Sequence, residues 1–289
     1  MGSENFTDPK RRRLMLRILL VLGVLTSSSA SVTFPGQSQE KKWNLCRHAN
    51  DADVRIDACS SVILSDRGTG SDSAEAYFGR GLGYAHKGKY EDSIRDYDHT
   101  LLLEPNFAAA YYGRGWVCEH KGEYDGAIKD FDQALRINPN YADALRERGV
   151  VHAHKNDYRK AIQDYTEALR LNLPDAIALY NRGQAFAHVA EYQSAIQDYN
   201  QALRLKPGFG EALYGRARVR ALMHDYDLAI MDYTEALRIN PISTDALYSR
   251  GLIYQQMGDY DRAIQDFNEA LRINPTIFNS SSFAGMSMH

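Results

Sequence analysis

The sequence predicts an all-α fold: a superhelical α-α solenoid of six helix-turn-helix repeats, each of 34 residues, between Ala74 and Ile277. Three observations lead to this prediction. First, an Arg-Gly or Arg-Ala pair, a Tyr, an Ile and an Asp each return six times at intervals of 34 residues. Second, each repeat contains two segments with apolar residues at helical spacing. Third, turn-forming residues separate most of these segments. A fixed period of this length is typical of solenoids, in which each repeat buries its apolar face against its neighbours.

The second repeat shows how each helix is expected to begin and end. A first helix is predicted from Ala110 to Lys121, and Gly122 ends it because glycine adopts the left-handed conformation without steric cost. A second helix is predicted from Tyr124 to Ile137, with an apolar stripe at i, i+3, i+4 and i+7. Pro139 then ends the repeat, since proline cannot continue a helix. In the other repeats the place of Gly122 is taken by Gly88, Asn156, Ala190, His224 and Gly258.

This pattern resembles the tetratricopeptide repeat (TPR). The motif places of that family are filled in the second repeat by Tyr111, Gly115, Cys118, Ala127, Phe131, Ala134 and Pro139. The resemblance implies a right-handed superhelix whose first helices line a concave groove for a protein or peptide partner. Arg replaces the family's leucine before the Gly, and such Arg-Gly repeats resemble exported TPR proteins of alphaproteobacteria. The six repeats are expected at 74–107, 108–141, 142–175, 176–209, 210–243 and 244–277.

The N-terminus is expected to be a signal peptide over residues 1–30. A basic run at residues 10–13 precedes an apolar stretch at residues 14–25, and small residues lead up to Ala30. This order is typical of secretory signals, so the mature chain is expected in the periplasm or outside the cell, with no membrane attachment. Two alternatives stay open: an uncleaved membrane anchor, and a chance apolar stretch in a cytosolic protein.

Two short segments flank the repeats. Residues 31–42 are expected to be a linker, and residues 43–73 a degenerate half-repeat that caps the solenoid. Cys46 and Cys59 lie 13 residues apart within this cap, and in an exported chain such a pair predicts a disulfide. In a cytosolic chain they would be two free buried thiols. Residues 278–289 are expected to be a flexible polar tail, which leaves the apolar stripe of the last helix partly open for self-assembly.

Composition and motifs argue against several functions. Hydrophobic residues make up 44% of the chain, enough for packed repeats. The net charge is −3, and the first 30 residues are basic, so the remainder is more acidic and unsuited to nucleic acid. We find no nucleophile elbow, P-loop or zinc-protease motif, and therefore expect neither catalysis nor a cofactor. Cys118 and His120 are two residues apart, as are His152 and His154, which points each pair in different directions and argues against a metal site.

The resemblance places the candidate partner-binding residues on the first helices. The fifth place of the six repeats holds Phe78, Tyr112, Arg146, Tyr180, Tyr214 and Tyr248. The thirteenth place of the first four repeats holds His86, His120, His154 and His188, and the ninth place of the second holds Trp116. Aromatic and imidazole rows suit an extended peptide, and protonation of the histidines would charge the groove. Alternatively, these side chains only cover the helix surface.

A second series consists of one Arg and one Asp in every repeat. The arginines recur with Arg80 and the aspartates with Asp96, both at intervals of 34 residues. Because both charges recur together, we interpret them as ion pairs that hold the helices in register. The alternative is a row of anion-binding arginines.

Overall fold

The computed structural model describes residues 35–65, 71–171 and 174–276, and within these ranges the chain forms fourteen α-helices and no strands. The all-α prediction is confirmed. The helices are α1 (Pro35–His48), α2 (Ala52–Ser65), α3 (Ser71–His86), α4 (Tyr90–Leu103), α5 (Ala108–His120), α6 (Tyr124–Ile137), α7 (Ala142–His154), α8 (Tyr158–Leu171), α9 (Ala176–His188), α10 (Tyr192–Leu205), α11 (Gly210–Leu222), α12 (Tyr226–Ile239), α13 (Thr244–Gln256) and α14 (Tyr260–Ile273).

From α3 onward the helices pack as consecutive pairs, and each pair is one repeat. The first helix of each pair also packs on the second helix of the preceding pair, as a solenoid requires. All six turns inside the pairs have one residue with a positive φ. Three of these residues are glycines, whereas Asn156, Ala190 and His224 adopt φ angles of 60° to 63°. The repeated backbone geometry therefore holds even where the side chain opposes it.

The core of each repeat lies between its two helices. A tyrosine or phenylalanine of the second helix is completely or almost completely buried in five repeats, at Tyr97, Phe131, Tyr165, Tyr199 and Tyr233. Its ring lies against a small residue of the first helix. A Cβ added at Gly149, for example, would lie 2.8 Å from Tyr165 Cε1, closer than van der Waals contact allows. The recurring glycine is thus required by the close approach of the two helices.

The N-terminal segment differs from the expected boundaries. Helix α1 begins at Pro35, inside the expected linker, because proline suits the first position of a helix and the following Gln, Glu and Lys residues favour helix. The expected half-repeat at residues 43–73 contains the end of α1, all of α2 and the start of α3, which begins at Ser71. The chain divides into two compact units between Lys41 and Lys42, and of the first unit only residues 35–41 are described. The predicted disulfide joins Cys46 of α1 to Cys59 of α2, with an S–S distance of 2.03 Å.

The predicted signal peptide at residues 1–30 and the tail at residues 278–289 lie outside the described residues. Among the helices that the structure does describe, none combines the length and the apolar character needed to cross a membrane.

Candidate functional site

A row of aromatic side chains follows the first helices of the repeats. It consists of the fifth-place residues Phe78, Tyr112, Tyr180, Tyr214 and Tyr248. Each ring packs against the inner aromatic residue of its own repeat, with centroids 5.5 to 6.1 Å apart. Three also contact the aromatic residue that ends their repeat, at 5.0 or 5.1 Å, in the pairs Phe78–Phe107, Tyr112–Tyr141 and Tyr180–Phe209. The rings are half-buried and held by packing, so they present a rigid contact surface.

Arg146 occupies the same place in the third repeat and interrupts this row. Its guanidinium lies 3.2 Å from Asp175, 3.0 Å from Glu147 and 3.1 Å from Asp143. Asp175 ends the third repeat, where three other repeats have an aromatic residue. An ion pair therefore replaces the aromatic pair, and Arg146 is already neutralised by its own neighbours.

The thirteenth-place histidines are exposed; two stack on aromatic rings and a third lies against one in a tilted arrangement. His154 lies parallel to Tyr124 at 5.4 Å, and His188 parallel to Tyr158 at 4.2 Å. His120 lies 3.6 Å from the ring of Trp116, in the same turn of α5. Tyr124 and Tyr158 open the second helix of the preceding repeat, so His154 and His188 join adjacent repeats. His188 also lines a cleft with members of the aromatic row.

Two adjoining clefts follow the first helices of repeats four to six. The larger has a volume of about 460 Å³ and the smaller about 150 Å³, and both are lined by Tyr180 and Tyr214. Burial raises the pKa of both tyrosines, so their hydroxyl groups stay protonated and can donate hydrogen bonds at neutral pH. The structure thus brings together Tyr180, Tyr214 and His188 of the predicted groove residues. Phe78 instead lines a separate cleft of about 260 Å³ beside Cys46.

The clefts contain charged residues that were not among the predicted groove residues. Arg218, at the ninth place of the fifth repeat, lines the smaller cleft, and its guanidinium lies 5.9 Å from the Tyr214 ring. Glu211, Asp245 and Lys206 line the larger cleft. Arg218 occupies the same place as the predicted groove residue Trp116, whereas Glu211 and Asp245 both occupy the second place of their repeats.

A pair of carboxylates interrupts the groove between repeats two and three. Glu119 occupies a place that holds alanine or glutamine in each of the other five repeats. This departure from the repeat pattern is the sequence signal that could have identified Glu119 as unusual. Its Oε2 atom is buried and has no hydrogen-bond partner among the described residues. Burial, reinforced by the negative charge of Glu147, raises the pKa of Glu119 to about 7. Glu119 therefore changes its charge near neutral pH.

The Arg and Asp series forms clamps between helices. Each arginine donates from Nε and Nη2 to the aspartate of its own repeat, over 2.6 to 2.9 Å. Its Nη1 reaches back to the second helix of the preceding pair, where the acceptors are Ser60, Asp98, Asp132, Thr166, Asn200 and Thr234. One side chain thus connects three helices. The hypothesis of register-holding ion pairs is confirmed, and these arginines are occupied by their partners.

Cys118 and His152 occupy equivalent places on the first helices of repeats two and three, where Cys118 is buried and His152 is half-buried. Cys118 is buried, and desolvation raises the pKa of its thiol to about 11. His152 lies 3.8 Å from Asp164, and burial lowers its pKa. Within the ranges that the structure describes, no three His, Cys, Asp or Glu side chains are arranged to hold a metal ion.

Comparison with protein families identifies the repeats. Profiles described as "Tetratricopeptide repeat" match residues 74–107, 108–141, 147–208, 189–238 and 244–277, which together cover more than half of the chain. The chain belongs to the tetratricopeptide repeat family. The departure from the TPR motif at Arg80 and its counterparts is explained by the clamps, because this place connects each repeat to the preceding helix.

Solved TPR structures share the fold. MamA is 28% identical, covers 57% of this chain over 97% of its own length and has a TM-score of 0.54. YrrB, described as a TPR protein with an unusual peptide-binding site, is 20% identical over 63% of this chain and 94% of its own, with a TM-score of 0.55. PilF of Pseudomonas aeruginosa is 21% identical over 74% of this chain and 98% of its own, with a TM-score of 0.64. No curated protein sequence matches the chain.

Proposed function

We propose that this TPR protein is a non-catalytic interaction scaffold that holds an extended peptide segment of a partner protein along the first helices of its repeats. The observation that carries this proposal is the pair of adjoining clefts that share Tyr180 and Tyr214. Together they offer rigid aromatic faces with protonated hydroxyl groups, in a volume suited to side chains of a peptide. Toward the N-terminal repeats, Tyr112 and Phe78 occupy the places that correspond to Tyr180 and Tyr214, so aromatic rings recur along the first helices.

Several features support a peptide over other ligands. The tyrosine rings are fixed by packing before a ligand arrives, which lowers the entropy lost on binding. Arginine, lysine and carboxylate groups lie beside the rings, so polar side chains and backbone groups of a peptide find partners. The clefts are open and elongated over three repeats rather than enclosed, which suits an extended chain better than a small molecule.

The experiment is selection of peptides from a random displayed library on the purified chain, followed by calorimetry with synthetic peptides. Tyr214→Ala is expected to weaken the selected peptides by about tenfold or more, because truncating a central aromatic anchor removes a large contact. Tyr260→Ala is the matched control, since Tyr260 is 64% exposed and lines neither cleft. Equal affinity of both variants for the selected peptides, with unchanged circular dichroism, would contradict the proposal.

We also infer export to an oxidising compartment, periplasmic or extracellular, with removal of residues 1–30. The disulfide between Cys46 and Cys59 supports an oxidising environment. N-terminal sequencing of the secreted or periplasmic chain is expected to begin at Ser31. A chain that stays in the membrane fraction with its N-terminus intact would favour the uncleaved anchor, and reduced cysteines in a cytosolic chain would contradict export.

A second candidate function is self-assembly through the last repeat. Ile264 is 55% exposed, whereas its counterparts Ile94, Ile128, Ile162, Ile196 and Ile230 are half-buried. An open apolar end of a solenoid can pack against a second copy. Sedimentation analysis would then show an association that Ile264→Lys abolishes, while a monomer at all concentrations would exclude this function.

A further inference from the structure

We propose that the groove at repeats four and five recognises its partner peptide through an acidic side chain, aspartate or glutamate, that pairs with Arg218. This inference rests on the proposed peptide-binding function. The feature of the partner peptide that is recognised is a side-chain carboxylate, which binds in the smaller cleft.

Arg218 is an arginine of the first helices without a carboxylate of its own. The six clamp arginines are each bound to an aspartate, and Arg146 is bound to three carboxylates. For Arg218 the described residues supply no hydrogen bond and no ion pair, and its contact is with the face of the Tyr214 ring. It is exposed on the wall of the smaller cleft. A guanidinium placed in this way has five N–H donors to offer to a ligand.

The surroundings of Arg218 leave its positive charge uncompensated. Among the described residues, none that lines the smaller cleft is acidic, and Glu211 lines only the larger one, two helical turns earlier on α11. His188 lines the smaller cleft too, and partial desolvation of its ring in the cleft, reinforced by the charge of Arg218, lowers its pKa, so the ring stays neutral at neutral pH. Tyr180 accepts a hydrogen bond from Gln184 Nε2 at 2.8 Å, which leaves its own hydroxyl proton for a ligand. A carboxylate in the smaller cleft would therefore be close to the Arg218 guanidinium and to neutral hydrogen-bond donors such as the Tyr180 hydroxyl.

The neighbouring cleft explains why the ligand is a single carboxylate of a peptide rather than a phosphate-rich polymer or membrane. Two carboxylates, of Glu211 and Asp245, line the larger cleft together with a single lysine, Lys206, so its net charge is negative. They would repel a polyanion, whereas a peptide can carry one acidic residue at Arg218 and neutral or basic residues further on. Arginine also matches the two oxygens of a carboxylate bidentately, which gives the pairing a defined geometry.

The test uses the purified full chain and a library of random displayed peptides. Selection is carried out in parallel on the unchanged protein, on Arg218→Gln and on Arg218→Glu. Arg204→Gln is the matched control, since Arg204 is likewise an exposed arginine without an ion pair among the described residues, but lies on α10 and lines neither cleft. We expect the unchanged protein and Arg204→Gln to select peptides with Asp or Glu at one position. Arg218→Gln loses this preference, and Arg218→Glu changes it to Lys or Arg.

Calorimetry with one selected peptide then measures the pairing. Arg218→Gln is expected to weaken binding of this peptide roughly 10- to 100-fold. Replacing the acidic residue of the peptide by its amide is expected to have the same effect. When both changes are made together, affinity should fall little further, because each change removes the same ion pair. Peptides without a common acidic position, or an acidic preference that survives in Arg218→Gln, would overturn the role of Arg218 while leaving the groove function intact. Failure of all four proteins to select any peptide would overturn both proposals. Arg218 forms no ion pair among the described residues, so the Arg218 variants are expected to keep the melting temperature of the unchanged protein. An unchanged melting temperature shows that a loss of binding is not caused by misfolding.

Discussion

Replacement of Glu119 by glutamine is expected to stabilise the folded chain at pH 8 and to change its stability little below pH 5. Glutamine has the shape of glutamate without its charge, and Gln255 already occupies the equivalent place in the sixth repeat. In the folded chain Glu119 lies half-buried near the carboxylate of Glu147, which faces it from α7 and is itself bound to Arg146. Removing the charge of Glu119 removes both the free-energy cost of desolvating a charged carboxylate and its repulsion by Glu147.

The magnitude follows from the raised pKa of Glu119. A rise from its ordinary value of 4.5 to about 7 corresponds to at most about 3.4 kcal/mol of unfolding free energy. Because the side chain is only partly buried, screening by solvent reduces this to about 1–2 kcal/mol. An acid with a raised pKa does not oppose folding below its unfolded pKa, and stability is lost as pH rises from about 4.5 through about 7. The gain in the variant therefore appears over this range.

Urea unfolding at pH 5, 6, 7 and 8 measures the effect. Circular dichroism and tyrosine fluorescence are followed together, because repeat proteins can unfold in steps. Glu235→Gln is the control, since a hydrogen bond from Arg238 lowers the pKa of Glu235, which therefore stays ionised from pH 5 to pH 8. Any effect of this variant is expected to be the same at all four pH values. If the free energies of unfolding of the unchanged chain and Glu119→Gln differ by a constant amount from pH 5 to pH 8, Glu119 ionises normally and the reasoning is refuted.

Three further predictions concern the frame of the solenoid. Arg182→Ala breaks a partly buried clamp and is expected to lower the free energy of unfolding by about 3 kcal/mol without weakening the binding of selected peptides. Unchanged stability in urea together with a loss of peptide binding would instead favour an anion-binding role for this arginine. Ala190→Gly relieves the strain of a φ of 61° and is expected to raise the free energy of unfolding in urea by about 1 kcal/mol. A lower free energy of unfolding in this variant would contradict the presence of strain at Ala190. Reduction of the Cys46–Cys59 disulfide is expected to cost about 3 kcal/mol in thermal or urea unfolding, and a Cys46→Ser variant should then be insensitive to reductant.

The repeated features were predictable because a fixed period determines which residues become neighbours. The turn at Ala190 shows this most clearly, since alanine by itself opposes the left-handed conformation that the period required. The pairing of Arg182 with Asp198 followed from the same logic: two charges that recur together at constant spacing meet in every repeat. The contact of Arg182 Nη1 with Thr166 did not follow, because its acceptor changes from one repeat to the next.

The candidate site was predictable only in part. Sequence reasoning named Tyr180, Tyr214 and His188 by their places in the repeat, and the structure brings all three to the smaller cleft. The two tyrosines also line the larger cleft. It also placed Arg146 in the groove row, where ion pairs neutralise it. Which arginine lacks a partner depends on side chains from several helices, and no single repeat contains that information.

By itself, the sequence determined the helix pairs, their turns and the register between them, since each repeat carries the same apolar stripe, close helix contact and charge pair. The tertiary structure decided the properties of the residues that are not repeated. Glu119 gains its raised pKa and Arg218 its unpaired charge from facing side chains of adjacent repeats. Burial and charge are properties of a position among its neighbours, and at these places the neighbours differ from one repeat to the next.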